Sequence, residues 1–198
     1  MKNLFFFDID TQKDFMLKTG ALHVPGAERI IPGLRRLFDF AVKNEISIIS
    51  TMDTHAADDP EFAEFPPHCV RGTDGRRKLD DTLLPHPLVF STKPVDRNLP
   101  DCLRKNRQII VEKNTFDVFS NPVMERLTRA LPPRAIVFGV ATEYCVKKAV
   151  LGLRRLGVQT VVVSDAVRAI APKTEKEAID EMQAAGAIFV PLANIFDL

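Results

Sequence analysis

The chain has 198 residues, of which 45% are hydrophobic and 27% are charged, and its formal net charge is +1. This length and composition predict a single α/β domain that spans residues 1–198. A near-neutral chain has no basic surface for nucleic acid or anionic lipid, so we expect a small-molecule partner, no nucleic acid and no membrane. The apolar run at 4–7 is too short for a signal peptide or a membrane span, which favours a cytoplasmic protein. Three cysteines without a regular spacing favour reduced thiols.

Short apolar runs alternate with amphipathic segments, a pattern typical of an α/β fold with a parallel sheet. The runs that predict buried strands lie at 3–9, 46–51, 108–112, 135–140 and 159–163, with a weaker sixth at 187–190. The segments with apolar residues at helical spacing lie at 27–43, 121–130, 143–156 and 174–185. Because ligands bind beyond the carboxyl ends of parallel strands, polar residues that follow each run are candidates for a common site.

Residues 54–101 depart from this alternation. They contain many of the 14 prolines and have an irregular composition. We therefore predict a long excursion from the sheet at about 54–101 that binds metal and substrate, because segments of this length in compact domains usually carry function.

Acidic residues and a histidine follow the first two predicted strands. Alternation of side chains places Asp8 and Asp10 on one face of the first strand. Solvated carboxylates at a strand end are the alternative interpretation. Asp53 and His55 follow the second strand two positions apart, and such a pair can share a divalent ion.

A second histidine, His68, lies in the excursion behind two prolines that stiffen the backbone. A lone histidine in a loop is normally just exposed to solvent. Together with Asp53, His55 and Glu61, however, it provides a mixed set of nitrogen and oxygen ligands. The sequence therefore predicts a metal site formed by these four side chains.

A cysteine follows the predicted strand at 135–140. Thr142 is a suitable N-cap, which places Cys145 in the first turn of a helix. Backbone amides and the helix dipole at this position favour a thiolate, so we expect a lowered pKa for Cys145. The same amides can bind an oxyanion. A buried structural cysteine is the alternative, and Lys113 taken alone is typical of a solvated loop charge.

Several motifs occur together and in order. They are Asp10-x-Gln12-x-Asp14-Phe15, Asp53-x-His55, Phe65-Pro66-Pro67-His68-Cys69 with Gly72-Thr73 following, Lys113, and Gly139-Val140-Ala141-Thr142-Glu143-x-Cys145-Val146. This set resembles the isochorismatase-like cysteine hydrolases and, among them, the nicotinamidases. The resemblance extends from the first strand to about Asp165. It implies a three-layer α/β/α, Rossmann-like fold with a six-stranded parallel sheet and helices on both faces.

The resemblance also implies a catalytic centre. Asp10, Lys113 and Cys145 match a catalytic triad. A cis peptide bond between Val140 and Ala141 is implied, together with an oxyanion hole formed by the amides of Ala141 and Cys145.

A substrate site and a metal site are implied in the same way. Phe15 and Phe65 match the aromatic residues that stack on the substrate ring, and Val140 and Ala141 belong to the same wall. The positions implied as metal ligands are Asp53, His55 and His68, with Glu61 as a further ligand and Glu64 as the next candidate. The ion is often zinc, with Mn²⁺ or Fe²⁺ as alternatives.

The implied reaction is hydrolysis of a small amide, most of all nicotinamide, to a carboxylic acid and ammonia, as in the salvage of pyridine nucleotides. Asp10 would take the thiol proton, Cys145 would form a thioester, and the ion would orient the substrate ring through its pyridine nitrogen. A related hydrolase acting on another amide or a carbamoyl compound is the nearest alternative. Because members of this family often form dimers or tetramers, a homo-oligomer is expected.

Several positions differ from the commonest choices in the family. Phe65 stands where many nicotinamidases have Trp, Glu143 stands where Asp is frequent, and Phe116-Asp117-Val118-Phe119 replaces a Tyr-Ser-x-Phe run. These changes alter the walls of the pocket and leave the triad intact, so they bear on the substrate more than on the reaction class.

Two alternatives come from other classes. Phe5-Phe6-Phe7-Asp8-Ile9-Asp10-Thr11 also resembles the nucleophile motif of haloacid-dehalogenase-like phosphatases, with Asp8 as nucleophile and Asp10 as acid. That class expects a second acid for magnesium near Asp165, which is missing, and it leaves Cys145 without a role. The other alternative is a non-catalytic member that binds a small ligand. A complete set of thiol, acid and lysine argues against it.

Overall fold

The computed structural model describes residues 3–94 and 96–196, so residues 1–2, 95 and 197–198 of the predicted domain lie outside the described part. The strands are β1 (Phe5–Ile9), β2 (Ile48–Asp53), β3 (Leu88–Phe90), β4 (Gln108–Lys113), β5 (Arg134–Val140), β6 (Gln159–Arg168) and β7 (Ile188–Val190). The α-helices are α1 (Lys13–Met16), α2 (Ile31–Lys43), α3 (Leu99–Lys105), α4 (Pro122–Ala130), α5 (Lys147–Arg155) and α6 (Pro172–Ala184). A π-helical turn, Thr142–Val146, precedes α5.

The strands form one parallel sheet in the order β3-β4-β2-β1-β5-β6-β7. The predicted parallel α/β fold is confirmed, but the predicted number of six strands is wrong because the sheet has seven. The missed strand, β3, lies within the excursion at 54–101, which also contains two short 3-10 turns and the first residues of α3. A three-residue edge strand with Val89 45% exposed has too little apolar pattern to be recognised in a sequence.

Helices cover both faces of the sheet because the central strands are apolar on both faces. Phe6 on β1 packs edge-on against Phe138 of β5, in the same core as Leu34 and Leu37 of α2. Phe5 and Phe7 point to the other face and pack in the core beneath α4 and α5. Strands buried on both faces are typical of parallel sheets.

The strand order creates a crevice at the carboxyl ends of the central strands. From β1 the chain builds β2, β4 and β3 on one side and then returns to build β5, β6 and β7 on the other. The crevice beyond the carboxyl ends of β1 and β5 is therefore a topological switch point, where open α/β sheets bind ligands. Within the described residues, no helix has the length and apolar character needed to cross a membrane.

Candidate active site

Lys113 lies at the centre of a buried polar cluster at this switch point. Its Nζ atom is 2.8 Å from Asp10 Oδ2 and 3.4 Å from Cys145 Sγ, and it also contacts Asp53 Oδ1. The contact with Asp53 follows from the sheet register, because Asp53 and Lys113 are direct partners on β2 and β4. The structure thus brings together Asp10, Lys113 and Cys145, which the sequence placed on three separate segments.

Asp10 is held by its neighbour on β2. The Thr51 hydroxyl donates to Asp10 Oδ1 at 2.6 Å, and the Asp10 amide donates to the same hydroxyl oxygen at 3.1 Å. Asp10 has a positive φ of 46°, which turns the chain as β1 ends. Asp10 therefore bonds to Thr51 on one face of the sheet while Asp8 bonds to Ser50 on the other, so the prediction that Asp8 and Asp10 share a face is wrong. The Oδ2 atom of Asp10 is buried and forms an ion pair with the Lys113 ammonium at 2.8 Å. An ionised carboxylate oxygen that can accept a proton therefore lies beside this ammonium.

The positive and negative charges of the cluster shift the pKa values of Cys145 and Asp10 in opposite directions. Burial raises the pKa of Cys145 well above its usual value, and although the Lys113 ammonium lowers it, the Asp10 and Asp53 carboxylates raise it further. For Asp10, burial is the largest influence and would raise the pKa, yet the Lys113 ammonium and hydrogen bonds hold that pKa below its usual value. The prediction of a lowered pKa for Cys145 is therefore wrong. The resting site pairs a neutral thiol with a carboxylate, so the thiol needs a base.

The local geometry at Cys145 explains why that prediction failed. Ala141, rather than Thr142, occupies the N-cap position, and the turn that carries Cys145 is π-helical, with the Val146 amide bonded to the Ala141 carbonyl. Cys145 is only 7% exposed, so desolvation outweighs the helix dipole. The peptide bond between Val140 and Ala141 is cis, as the resemblance implies.

Three predicted metal ligands lie together beside this cluster. Ligand atoms of Asp53, His55 and His68 lie within 4.8 Å of one another, and all three side chains are buried. His55 Nε2 is buried without a hydrogen-bond partner among the described residues, whereas Nδ1 lies 3.0 Å from Asp59 Oδ2. His68 Nδ1 lies 2.8 Å from the Pro66 carbonyl oxygen, which accepts its proton and leaves Nε2 as the ligand atom. Two buried imidazoles beside a buried carboxylate, each with its Nδ1 atom oriented by a neighbouring oxygen, fit a divalent ion such as zinc.

The electrostatics of Asp53 agree with that fit. Burial raises the pKa of Asp53 to about 7. The Asp10 carboxylate also raises this pKa, whereas the Lys113 ammonium lowers it. Two carboxylates share one ammonium here, so one negative charge remains to be balanced by a proton or by a cation.

The predicted fourth ligand belongs to a second, overlapping group of side chains. Glu61 Oε1 is 3.7 Å from His68 Nε2, and Glu61 clusters with His55 and Asp59. Asp59 was not predicted, although its Oδ2 atom lies 3.0 Å from His55 Nδ1. Glu64, the next candidate for this position, is exposed.

Two residues of the first motif hold the segments that carry the predicted metal ligands. The Gln12 side-chain amide donates to the Asp53 carbonyl at 2.9 Å and accepts from the Asp53 amide at 2.7 Å. Asp14 Oδ2 accepts from the Cys69 amide at 2.7 Å, directly after His68. Their supporting roles were missed in the sequence, where their fixed spacing from Asp10 was the available signal.

A small apolar pocket opens above Cys145. The predicted substrate residues Phe15, Phe65, Val140 and Ala141 all line it, together with Asp53, His68, Leu22, Val24 and Ile170. Phe116, which belongs to the run expected to alter the pocket walls, and Tyr144, which was not predicted, also line it. Their ring centroids lie 5.2 Å apart, and each ring packs against Phe65. The pocket therefore suits a small, flat, apolar ring with one reactive group facing the thiol.

Residues 5–194 match the family model of the isochorismatase domain. The chain belongs to the isochorismatase family. Nicotinamidase of Escherichia coli (strain K12) is 27% identical over 213 residues, covering 94% of this chain and 93% of that protein. Nicotinamidase of Saccharomyces cerevisiae (strain ATCC 204508 / S288c) is 24% identical, covering 84% of this chain and 88% of that protein.

Solved structures of this family share the fold over nearly their whole length. The pyrazinamidase of Pyrococcus horikoshii in complex with zinc is 26% identical with a TM-score of 0.79, covering 96% of this chain and 99% of that one. The pyrazinamidase/nicotinamidase of Streptococcus mutans UA159 is 25% identical with a TM-score of 0.74, covering 94% of this chain and 99% of that one.

One acid that the family motifs leave unexplained is Asp8. It is fully buried, and its Oδ2 atom pairs with Lys78 Nζ at 2.9 Å. Asp8 does not line the pocket above Cys145 and is not exposed to a substrate. This argues against the phosphatase alternative, in which Asp8 would be the nucleophile. Membership of the isochorismatase family removes the remaining basis for that alternative.

Proposed function

We propose that this protein hydrolyses a small aromatic amide, nicotinamide before others, to the carboxylic acid and ammonia. The observation that carries the proposal is the contact of Lys113 with both Asp10 and Cys145 at the floor of an apolar pocket. The nicotinamidases of Escherichia coli and Saccharomyces cerevisiae, which resemble this chain over most of its length, support the substrate class.

Formation of the thioester begins from a neutral thiol and an ionised carboxylate. Asp10 Oδ2 accepts the proton of Cys145 as Sγ attacks the carbonyl carbon of the amide. Lys113 remains an ammonium, because burial would lower its pKa but Asp10 and Asp53 raise it well above the usual value. It keeps Asp10 charged before the transfer and balances the charge on sulfur during it. The amides of Ala141 and Cys145 bind the developing oxyanion.

Breakdown of the tetrahedral intermediate returns the proton. Asp10 donates it to the amide nitrogen as the carbon–nitrogen bond breaks, and ammonia leaves. Water then loses a proton to Asp10 and attacks the thioester carbon. The carbon–sulfur bond breaks, and Asp10 returns the proton to sulfur, which regenerates the thiol of Cys145. The carboxylic acid leaves with its second oxygen from water.

A divalent ion fits beside this chemistry. Asp53, His55 and His68 would hold it, with Glu61 within reach, and zinc suits this mixed donor set. When bound, such an ion supplies a Lewis acid in the pocket wall that can hold a heteroatom of the substrate. The zinc in the Pyrococcus horikoshii pyrazinamidase, a structural relative, supports this assignment.

The aromatic walls set the size of the acyl group. Phe15 lies on one side of the pocket, packed on the His68 ring at a centroid distance of 5.4 Å. Phe65 lies with Phe116 and Tyr144 in a cluster of three rings. A flat heteroaromatic ring between these walls would present its carboxamide to Cys145.

The test is a panel of amides assayed for ammonia release with and without a chelator. It contains nicotinamide, pyrazinamide, benzamide and a short aliphatic amide. We expect nicotinamide and pyrazinamide to be hydrolysed fastest, with loss of activity in chelator that added zinc restores. The matched control is Cys102→Ser, which removes a thiol outside the site and should retain activity. Preference for an aliphatic amide would contradict the proposed substrate, and no hydrolysis of any amide would contradict the reaction.

A further inference from the structure

A second buried lysine–carboxylate pair lies next to the first. Asp8 Oδ2 and Lys78 Nζ are 2.9 Å apart, with Asp8 0% and Lys78 2% exposed. Neither side chain touches the pocket, and the proposed chemistry uses neither. An ion pair so deeply buried gains little net stability over a well-packed apolar pair, because desolvation offsets the attraction. Stability alone therefore gives a weak reason for the pair.

The carboxylate of Asp8 is fully satisfied by neighbours that tie three segments together. The Ser50 hydroxyl donates to Oδ2 at 2.7 Å and the Thr11 hydroxyl donates to Oδ1 at 2.8 Å. Lys78 enters from the excursion, where it forms an isolated bridge with Gln12 and where the next amide donates to the Thr11 carbonyl. The pair thus holds the end of β1, the middle of β2 and the segment around Lys78 in one arrangement.

Thr51 connects this pair to the catalytic cluster. Lys78 Nζ donates to the Thr51 carbonyl at 3.4 Å, and the Thr51 hydroxyl donates to Asp10 Oδ1 at 2.6 Å. Ser50 and Thr51 are adjacent on β2 and point to opposite faces, so one binds Asp8 and the other binds Asp10. A displacement of the β2 backbone on the Asp8 side therefore moves the hydroxyl that orients Asp10.

We propose that Asp8 and Lys78 are positioning residues, which hold Thr51 so that Asp10 Oδ2 faces the thiol of Cys145. This inference rests on the proposed function, since it assigns Asp10 as the base. Small errors in the placement of a base are costly, because a displacement of about 1 Å can lower the rate about 100-fold. The pair then acts on the chemical step and leaves substrate binding unchanged.

The main test replaces both members together, so that no unpaired charge is left buried. Asp8→Asn/Lys78→Met should lower kcat by about 10- to 100-fold and leave KM within about two-fold. The rate of Cys145 alkylation by iodoacetamide at fixed pH should fall in parallel, and this readout needs no substrate. Leu37→Ala is the matched control: it destabilises the core on the same side of the sheet and should leave kcat and alkylation near the wild-type values.

A double-mutant cycle tests the route through Thr51. Thr51→Val removes the hydroxyl that binds Asp10, and in that background the Asp8/Lys78 replacement should have little further effect on kcat. In the Thr51→Ser background, which keeps the hydroxyl, the full effect should return. Where the double replacement does not fold, Ser50→Ala removes one hydrogen bond to Asp8 and should show a smaller effect with the same dependence on Thr51.

The possible results separate this inference from the proposed function. Wild-type kcat and alkylation in the Asp8/Lys78 variant, or losses that multiply with those of Thr51→Val, would overturn the inference while the enzyme remains an amidase. Absence of amide hydrolysis in the wild type would overturn the proposed function, and the alkylation rates would still decide whether Asp8 and Lys78 position the base.

Discussion

Replacement of Lys113 by Met probes the balance of charge in the site. The ammonium of Lys113 contacts the carboxylates of Asp10 and Asp53, and both carboxylates are buried. Its loss leaves two buried acids without a counter-ion, so the folded variant retains one proton more than the wild type. In the wild type the pKa of Asp10 lies below its usual value, and the stability it contributes is lost as pH falls. In the variant that pKa is raised, so stability is lost as pH rises.

The magnitude follows from the retained proton. One additional proton on the folded state changes the free energy of unfolding by about 1.4 kcal/mol per pH unit, so the deficit should grow by about 3 kcal/mol between about pH 5 and about pH 7. The total deficit at about pH 7 should lie in the range of roughly 3–5 kcal/mol that is typical of breaking a buried ion pair. Urea unfolding in the presence of a chelator measures it, with Lys176→Met, which breaks the exposed pair with Asp180, as the control. A deficit that stays constant or shrinks as pH rises would refute the reasoning.

Three further results are expected. His55→Ala should weaken zinc binding by more than about 100-fold in calorimetry, whereas His23→Ala, at a partly exposed ion pair, should not; equal affinities would remove His55 from the metal site. Glu143→Ala should lower the free energy of unfolding by about 1–3 kcal/mol, because Glu143 accepts from the Ile170 and Ala171 amides; an unchanged urea midpoint would contradict this. Phe65→Ala should raise KM for nicotinamide more than it lowers kcat, and the reverse split in steady-state kinetics would exclude a role in binding.

Much of the fold could be predicted because the central strands are continuous apolar runs. Phe5, Phe6 and Phe7 are all fully buried, as expected for a strand with helices on both faces. The ends of the strands were harder to predict from the sequence. The strand predicted at 46–51 extends to Asp53, and its Ser50 and Thr51 are buried because they bond to Asp8 and Asp10 on the next strand. Such partners are fixed by tertiary contacts and leave no local pattern.

The site residues that belong to sequence motifs could be predicted, whereas the interactions between charges on different strands could not. The grouping of Asp10, Lys113 and Cys145 and that of Asp53 with two histidines were both expected. The sequence did not indicate that Asp53 and Lys113 are cross-strand partners, because that contact depends on the register of β2 and β4. For the same reason it could not show that burial raises the pKa of Cys145. The sequence indicated that Cys145 lies at the start of a helix, but it did not indicate that the Asp10 and Asp53 carboxylates act on its thiol.

Acyl transfer to Cys145 is the central claim, and rapid-quench mass spectrometry of the enzyme mixed with nicotinamide tests it most directly. Peptide mapping should find the nicotinoyl group on Cys145 in the wild type and in Cys102→Ser. Cys145→Ala should carry no acyl group and release no ammonia above background. An adduct on another residue, or sustained turnover by Cys145→Ala, would contradict the mechanism.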